Sequence, residues 1–299
     1  MFELRHLRLI CEIAQSGSYS AAARGLGYTQ PAISQQMRAL EREAGTPLVT
    51  RAGRRMRLTE AGEALARRAA GILSSVAAAE DELAGIAGLR AGRVRLTAFP
   101  SGSATLVPAA IARLAHAHPG IRVSLTEAEP PEAMRALRDG EADIALTFSY
   151  GGDDGGASAG LAEIPLLDDP LMAVLPDAHP LSGRTSVKVC DLAGEAWIAG
   201  CERCRGNLLR LCAGFGFEPD IAFATDDSVA VQSLVAAGLG VALVPGLVLS
   251  ASHNPGTVAV PVDPEPRRGV SAVVWPDSRT VPAVAAMLDT LTAVAAVPA

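Results

Sequence analysis

Apolar and polar positions repeat with helical spacing through the first ninety or so residues, then switch to a mixture of helical and strand patterns. Leu4, Leu7, Ile10, Cys11 and Ala14 recur three or four residues apart and predict a first helix with one buried stripe. Ala21, Ala22, Ala23 and Leu26 predict a short second helix, with Ser20 as its N-cap and glycine at its end. Ile33, Met37 and Leu40 predict the inner side of a third helix. Thr29 is placed to cap it, and Pro31 is tolerated in its first turn because that N–H has no partner anyway. The outer side then carries Gln30, Ser34, Gln35, Arg38 and Arg42. After Gly45 and Pro47, the stretches 48–51 and 54–58 predict two short strands around a glycine turn. From Thr59 a long helix is expected to run to about Leu89. Leu58, Leu65, Ile72, Ala79 and Ile86 are spaced by seven, as are Ala69, Val76 and Leu83, with the two sets offset by four. That is a heptad seam, the pattern by which two helices pair.

Beyond the linker at 88–92, strands alternate with helices. The stretches 94–99, 121–127 and 143–148 read as strands, with helices at 104–117 and 132–139 between them. Right-handed crossovers make such a run a parallel sheet. After a glycine-rich loop at 151–160 a second alternation follows. Its strands fall at 164–167, 172–175, 197–199, 221–224, 240–244 and 258–262, and its helices at 205–214 and 228–237. A strand at 270–275 and a final helix at 282–294 return to the first unit. Two α/β lobes joined by crossings near Glu163–Pro165 and Glu265–Arg268 predict a hinged clamp, with small molecules bound between the lobes. The expected division is a head at 1–58, a linker helix at 59–91 and the clamp at 92–299. Within the clamp, 92–163 and 268–299 form one lobe and 164–267 the other.

The formal net charge is −6, which taken alone argues against a nucleic-acid partner. Its distribution points the other way. Residues 1–68 hold 11 Arg and 6 Glu, a balance of +5, so the remainder stands at −11. Arg51, Arg54, Arg55 and Arg57 crowd the glycine turn beside the outer side of the third helix. Amide, hydroxyl and guanidinium groups beside a basic hairpin suit base edges and phosphates, as a winged helix-turn-helix requires. The DNA contacts expected are Ser20, Thr29, Gln30, Pro31, Ser34, Gln35 and Arg38 from the helices, and Arg51, Arg54 and Arg55 from the wing.

Ala21–Ala23 with Leu26, Thr29–Ser34, Leu40-Glu41, Gly45–Leu48, Arg51, Arg54-Arg55 and Leu58–Gly62 together form a specific pattern. On these residues the chain resembles the LysR-type transcriptional regulators, with a weaker match continuing almost to the C-terminus. Val49-Thr50 depart from the pattern, because members usually place Phe and Glu there. The resemblance implies that the long helix dimerises the protein and that the clamp looks like a periplasmic binding protein. It also implies a dimer or tetramer on an inverted-repeat duplex, controlled by a small-molecule effector, and it admits RNA polymerase as a further partner.

For the effector, Ser101, Gly102 and Ser103 lie where a strand end meets a helix N-terminus, a setting that suits an anion or simply caps the helix. Thr147 and Phe148 end the third strand, and Cys201 and Asp226 sit at strand ends in the other lobe. By resemblance these are the places where family members hold effectors. Asp227 reads equally as the cap of the next helix. No arginine is assigned to the pocket, so the charge of the effector stays open.

Cys201-Glu202-Arg203-Cys204, with Cys212 eight residues on, has three readings. It is a set of thiols lining a pocket, a redox switch favoured by the adjacent arginines, or part of a metal site. The peroxide-sensing branch of the LysR family uses a cysteine pair in this same region, but at a different spacing. A metal site lacks a fourth ligand nearby, so no metal or cofactor is expected. No Ser/His/Asp set, acid pair or phosphate loop marks an enzyme, and His116, His118 and His179 read as turn residues. Glu3, Arg5, Arg8 and Glu12 break any export signal, and glycines and prolines interrupt the uncharged run at 228–262. A cytoplasmic protein without membrane contact is expected.

Overall fold

The computed structural model describes residues 2–52, 55–86, 92–151 and 160–296. The expected wing turn at Gly53-Arg54, the start of the linker and most of the 151–160 loop lie outside these.

The head comprises α1 (Leu4–Ser16), α2 (Tyr19–Leu26), α3 (Gln30–Ala44) and a hairpin of β1 (Val49–Ala52) and β2 (Arg55–Leu58). Helix α4 (Glu60–Ile86) leaves it. Ile33, Met37 and Leu40 are fully buried against Leu9, Ile10, Ile13 and Ala22. On α1 the buried stripe is Leu7, Leu9, Ile10 and Ile13, whereas Leu4 and Ala14 are exposed and Cys11 is half-buried. The stripe turns this way because α1 packs against α2, α3 and the start of α4 at once.

Ser20 does not cap α2. The cap is Ser18, whose extended backbone lets its hydroxyl accept from the Ala21 N–H at 3.0 Å, while Ser20 lies exposed inside the helix. Gly17 ends α1 in the left-handed region, so the chain turns straight into α2 two residues sooner than expected. Thr29 occupies the N-cap position of α3 without a side-chain capping bond. Gly27 and Gly45 end α2 and α3, each at φ +70°, a conformation costly for other residues. Thr59 does cap α4, accepting from the Gly62 N–H at 3.1 Å and donating to the Pro47 carbonyl at 2.8 Å. Gly62 is required there, because a Cβ would lie 2.0 Å from the Leu48 carbonyl oxygen.

The clamp opens with β3 (Arg93–Ala98), α5 (Pro100–Ala104), α6 (Leu106–Ala117), β4 (Arg122–Glu127), α7 (Pro130–Arg138) and β5 (Ile144–Tyr150). It continues with β6 (Ala162–Pro176), β7 (Ala196–Ala199), α8 (Glu202–Gly214), β8 (Asp220–Ala224) and α9 (Ser228–Ala236). It closes with β9 (Ala242–Pro245), α10 (Gly246–Ala251), β10 (Thr257–Pro261), β11 (Arg267–Val274) and α11 (Pro282–Ala295). Strands β4, β3 and β5 are parallel, and β11 returns antiparallel beside β5, with α11 packed on α6.

Two expectations change. The strands at 164–167 and 172–175 are one fifteen-residue strand, and the crossing expected at Glu163–Pro165 lies inside it. Strand β6 pairs with β11 as far as Pro170, then from Leu171 onward with β9 and, one residue later, β10. Asp168-Asp169-Pro170 reads as a break in sequence, yet the strand runs through because Asp169 finds Arg268 directly opposite. Ser101, Gly102 and Ser103, expected to lead from a strand end into a helix starting at 104, lie within a separate short helix, α5. No helix among the described residues is long and apolar enough to cross a membrane.

Candidate functional sites

The outward side of α3 presents Gln30, Pro31, Gln35, Arg38 and Arg42 to solvent. Ser34 is half-buried and accepts a hydrogen bond from Arg38 at 3.2 Å. Arg51 is exposed on β1, Arg55 opens β2, and Arg54 lies outside the described residues. Thr29 is exposed at the start of α3, and Ser20 is exposed on α2. The head therefore holds a polar and cationic helix face on an apolar core.

A pocket of about 80 Å³ lies between the two lobes. Ser101, Phe148, Cys201 and Asp226 line it, joined by Phe99, Glu129, Cys204, Thr225 and Arg268. Gly102, Ser103 and Thr147 are not among its walls. Gly102 faces the Phe99 ring, and the Ser103 hydroxyl donates to the Ala98 carbonyl at 3.2 Å. Thr147 instead lines a larger cleft of about 600 Å³ between α4 and α7, which Phe148 and Ser149 also border. Charged side chains such as Arg67, Arg135 and Glu63 share the lining of that cleft with Pro130, Met134 and Phe148, whereas the smaller pocket sets a few polar groups among Phe99, Phe148 and Ile198 between the lobes and is the better ligand site.

The pocket has an arginine after all. Arg268 is buried, and its Nε and an η nitrogen donate to Asp169 Oδ2 at 2.9 and 2.8 Å. The same η nitrogen donates to the Ser101 hydroxyl at 2.8 Å. The guanidinium lies 4.7 Å from the Phe148 ring centre and 5.1 Å from that of Phe99. Asp169 Oδ1 accepts from the Leu247 N–H at 3.0 Å. Burial pushes the Asp169 carboxyl above its ordinary range, and the Arg268 charge and hydrogen bonds oppose that push. The pair spans 99 residues, so no local pattern could announce it. Glu129 was equally invisible: it stands at the start of α7 without capping it, and its Oε2 is buried with no hydrogen-bond partner. Burial raises its carboxyl above the usual range, against a hydrogen bond from Cys201.

Cys201 is the N-cap of α8, and its Sγ accepts from the Cys204 N–H at 3.4 Å. The two Sγ atoms stand 2.7 Å apart, and the Tyr150 hydroxyl donates to Cys204 at 3.4 Å. The hydrogen bond from Cys201 brings the Cys204 thiol down to about 7 against burial, with Tyr150 and Arg268 assisting. The same contact, together with burial, pushes Cys201 up. Cys212 is separate from the pair. It lies two turns further along α8, about 12 Å by helical rise, in the second lobe's core beside Trp197 and Leu208, where burial raises it to about 11. Among the described residues no three His, Cys, Asp or Glu side chains are grouped to hold a metal.

A winged helix-turn-helix head carried by a long helix on a two-lobed clamp defines a ligand-responsive regulator. Residues 4–63 match the bacterial regulatory helix-turn-helix of the lysR family, and residues 87–296 match the LysR substrate binding domain. The chain belongs to the LysR family of regulators. A probable hydrogen peroxide-inducible genes activator of Mycobacterium avium is 32% identical over 273 residues, covering 89% of this chain and 86% of the relative. A full-length OxyR variant of Pseudomonas aeruginosa has the same fold, with TM-score 0.74 at 24% identity over 97% of this chain and 95% of that one. CbnR, a LysR family regulator solved with its target DNA, also shares it, with TM-score 0.59 at 23% identity over 98% of this chain and all of that one.

Proposed function

We propose that this chain regulates transcription as a dimer whose two α3 helices enter major grooves of an inverted-repeat duplex. The head takes 1–58, the linker helix 59–91 and the clamp 92–299, with an effector held by Ser101, Phe148, Cys201 and Asp226. The observation that carries the reading is the exposed face of Gln30, Gln35 and Arg38 on α3, set on the buried Ile33, Met37 and Leu40. Gln30, Gln35 and Arg38 read base edges, while Thr29, Arg51, Arg54 and Arg55 hold backbone. CbnR, which shares the fold, has been solved on its target DNA. The relatives are regulators, and no reaction is assigned to the chain, which works in the cytoplasm where promoters are. Arg38→Ala tests the assignment on DNA from upstream of the gene, by fluorescence anisotropy across a salt series. Each lost base contact costs about 1–3 kcal/mol, so affinity falls by roughly tenfold or more. Unchanged affinity and an unchanged salt slope for Arg38→Ala would remove α3 from the interface.

The 2.7 Å approach of two thiols favours a second reading, a peroxide-responsive switch. The Cys204 thiolate attacks a peroxide oxygen, giving a sulfenic acid and releasing hydroxide that takes up a proton as water. The Cys201 sulfur then displaces the sulfenic oxygen as a second water and closes the disulfide at about 2.05 Å. The M. avium relative, named as a probable activator of hydrogen peroxide-inducible genes, fits this chemistry. Because thiolates are the reactive form, alkylation of Cys204 should reach half its maximal rate near pH 7, well below an ordinary thiol. Mass spectrometry after peroxide should find Cys201 joined to Cys204 in wild type and in Cys212→Ser. A Cys204–Cys212 bond, or free thiols throughout, defeats this reading.

A further inference from the structure

The interlobe pocket carries more carboxylate than available cation. Glu129 and Asp226 both line it, and the Glu129 Oε2 is buried without a hydrogen-bond partner. The cation in its wall, Arg268, is committed to Asp169 and to the Ser101 hydroxyl. Arg203 reaches the Phe148 carbonyl at 3.4 Å and lines the neighbouring cleft instead. A carboxylate ligand would add negative charge beside Glu129 and Asp226. It would also have to draw Arg268 away from Asp169, leaving that carboxylate buried and unpaired, which is costly. The anion site suggested by the Ser101–Ser103 stretch fails on the same ground, because α5 is five residues long and the Ser101 hydroxyl is already engaged.

A ligand that brings a positive charge and N–H donors resolves both faults at once. Its charge balances Glu129 and Asp226, and one N–H satisfies the orphaned oxygen. The rest of the wall is apolar: Phe99, Phe148, Ile198, Val231 and Val248 offer aromatic and aliphatic surface. About 80 Å³ admits a body of a few heavy atoms. We infer that the effector of this clamp is a small primary ammonium compound with a short apolar body, its nitrogen held between Glu129 and Asp226. The inference rests on the reading of this pocket as the effector site. The push that burial gives the Glu129 carboxyl, which the Cys201 hydrogen bond and the Arg268 charge oppose without cancelling, agrees with it, since a bound ammonium adds the hydrogen bond that Oε2 lacks.

The test is isothermal titration of the full-length protein with n-butylamine, butyrate and 1-butanol at neutral pH. n-Butylammonium should bind and butyrate should not. Glu129→Gln, which keeps the shape and removes the charge, should weaken n-butylammonium binding by on the order of ten- to a hundredfold. Butyrate or butanol binding as tightly as the amine, equal amine affinity in Glu129→Gln, or no binding by any of the three overturns the inference. Promoter binding measured on the same samples separates the two claims. If it persists while the amine fails, only the ligand class is wrong; if it is absent in wild type, the regulator reading itself falls.

Discussion

Asp169→Ala is expected to lower the stability of the effector domain by about 3–5 kcal/mol, read from urea unfolding. The loss comes from what remains. Arg268 is 3% exposed, and without Asp169 its charge stays in the aromatic cage of Phe99 and Phe148, with the Ser101 hydroxyl as its hydrogen-bond acceptor and, among the described residues, no adjoining carboxylate in a salt bridge. The Leu247 N–H at the start of α10 loses its acceptor in the same stroke. Replacing both partners, as in Asp169→Leu with Arg268→Met, removes the stranded charge and should recover most of the lost stability, because a well-packed apolar pair often equals a buried ion pair. If the single and double variants are equally unstable, the pair is not what holds β6 to β11 at the crossing. The double variant should also uncouple the lobes functionally, since Asp169 and Arg268 tie α5 of one lobe to α10 of the other.

The parts of this architecture that were legible in the sequence are those fixed by local periodicity. Ile33, Met37 and Leu40 announce the inner side of α3 because burial on a helix repeats every three or four residues. Gly45 and Thr59 mark helix ends for reasons of backbone geometry and capping that act within a few residues. Where two local signals compete, the pattern misleads. Ser18 and Ser20 are both acceptable caps, and the αL turn at Gly17 decides between them. Asp168-Asp169-Pro170 carries every mark of a turn, and only a partner 99 residues away keeps it extended. The pocket is half visible for the same reason: Ser101 in α5, Phe148 on β5, and Cys201 and Asp226 just past β7 and β8 follow from the order of elements, but Glu129 and Arg268 acquire their roles from burial and pairing, which have no period.

Ile72→Glu with Leu83→Glu should turn the protein into a monomer and weaken binding to its operator by about 10²–10⁴-fold. The heptad seam divides along α4. Leu65 and Ala69 at its start are used by the head core, whereas Ile72 is 46% exposed and Leu83 65% exposed, with Ala79 also open to water. A single chain gains nothing from apolar residues kept at seven-residue spacing on a solvent face; a second copy of the helix gives them a knobs-into-holes partner. Dimerisation turns the second head's contact into an intramolecular event, so affinity for a two-half-site operator depends on the seam far more than on any one base contact. Charges placed at Ile72 and Leu83 oppose like charges across the pair while leaving the head core untouched, so binding to an isolated half-site should not change. Sedimentation velocity gives the oligomeric state, and anisotropy on full and half operators gives the affinities. A variant that stays dimeric, or a wild type already monomeric at operator-binding concentrations, would move the dimer contact off α4 and with it the spacing of the two heads.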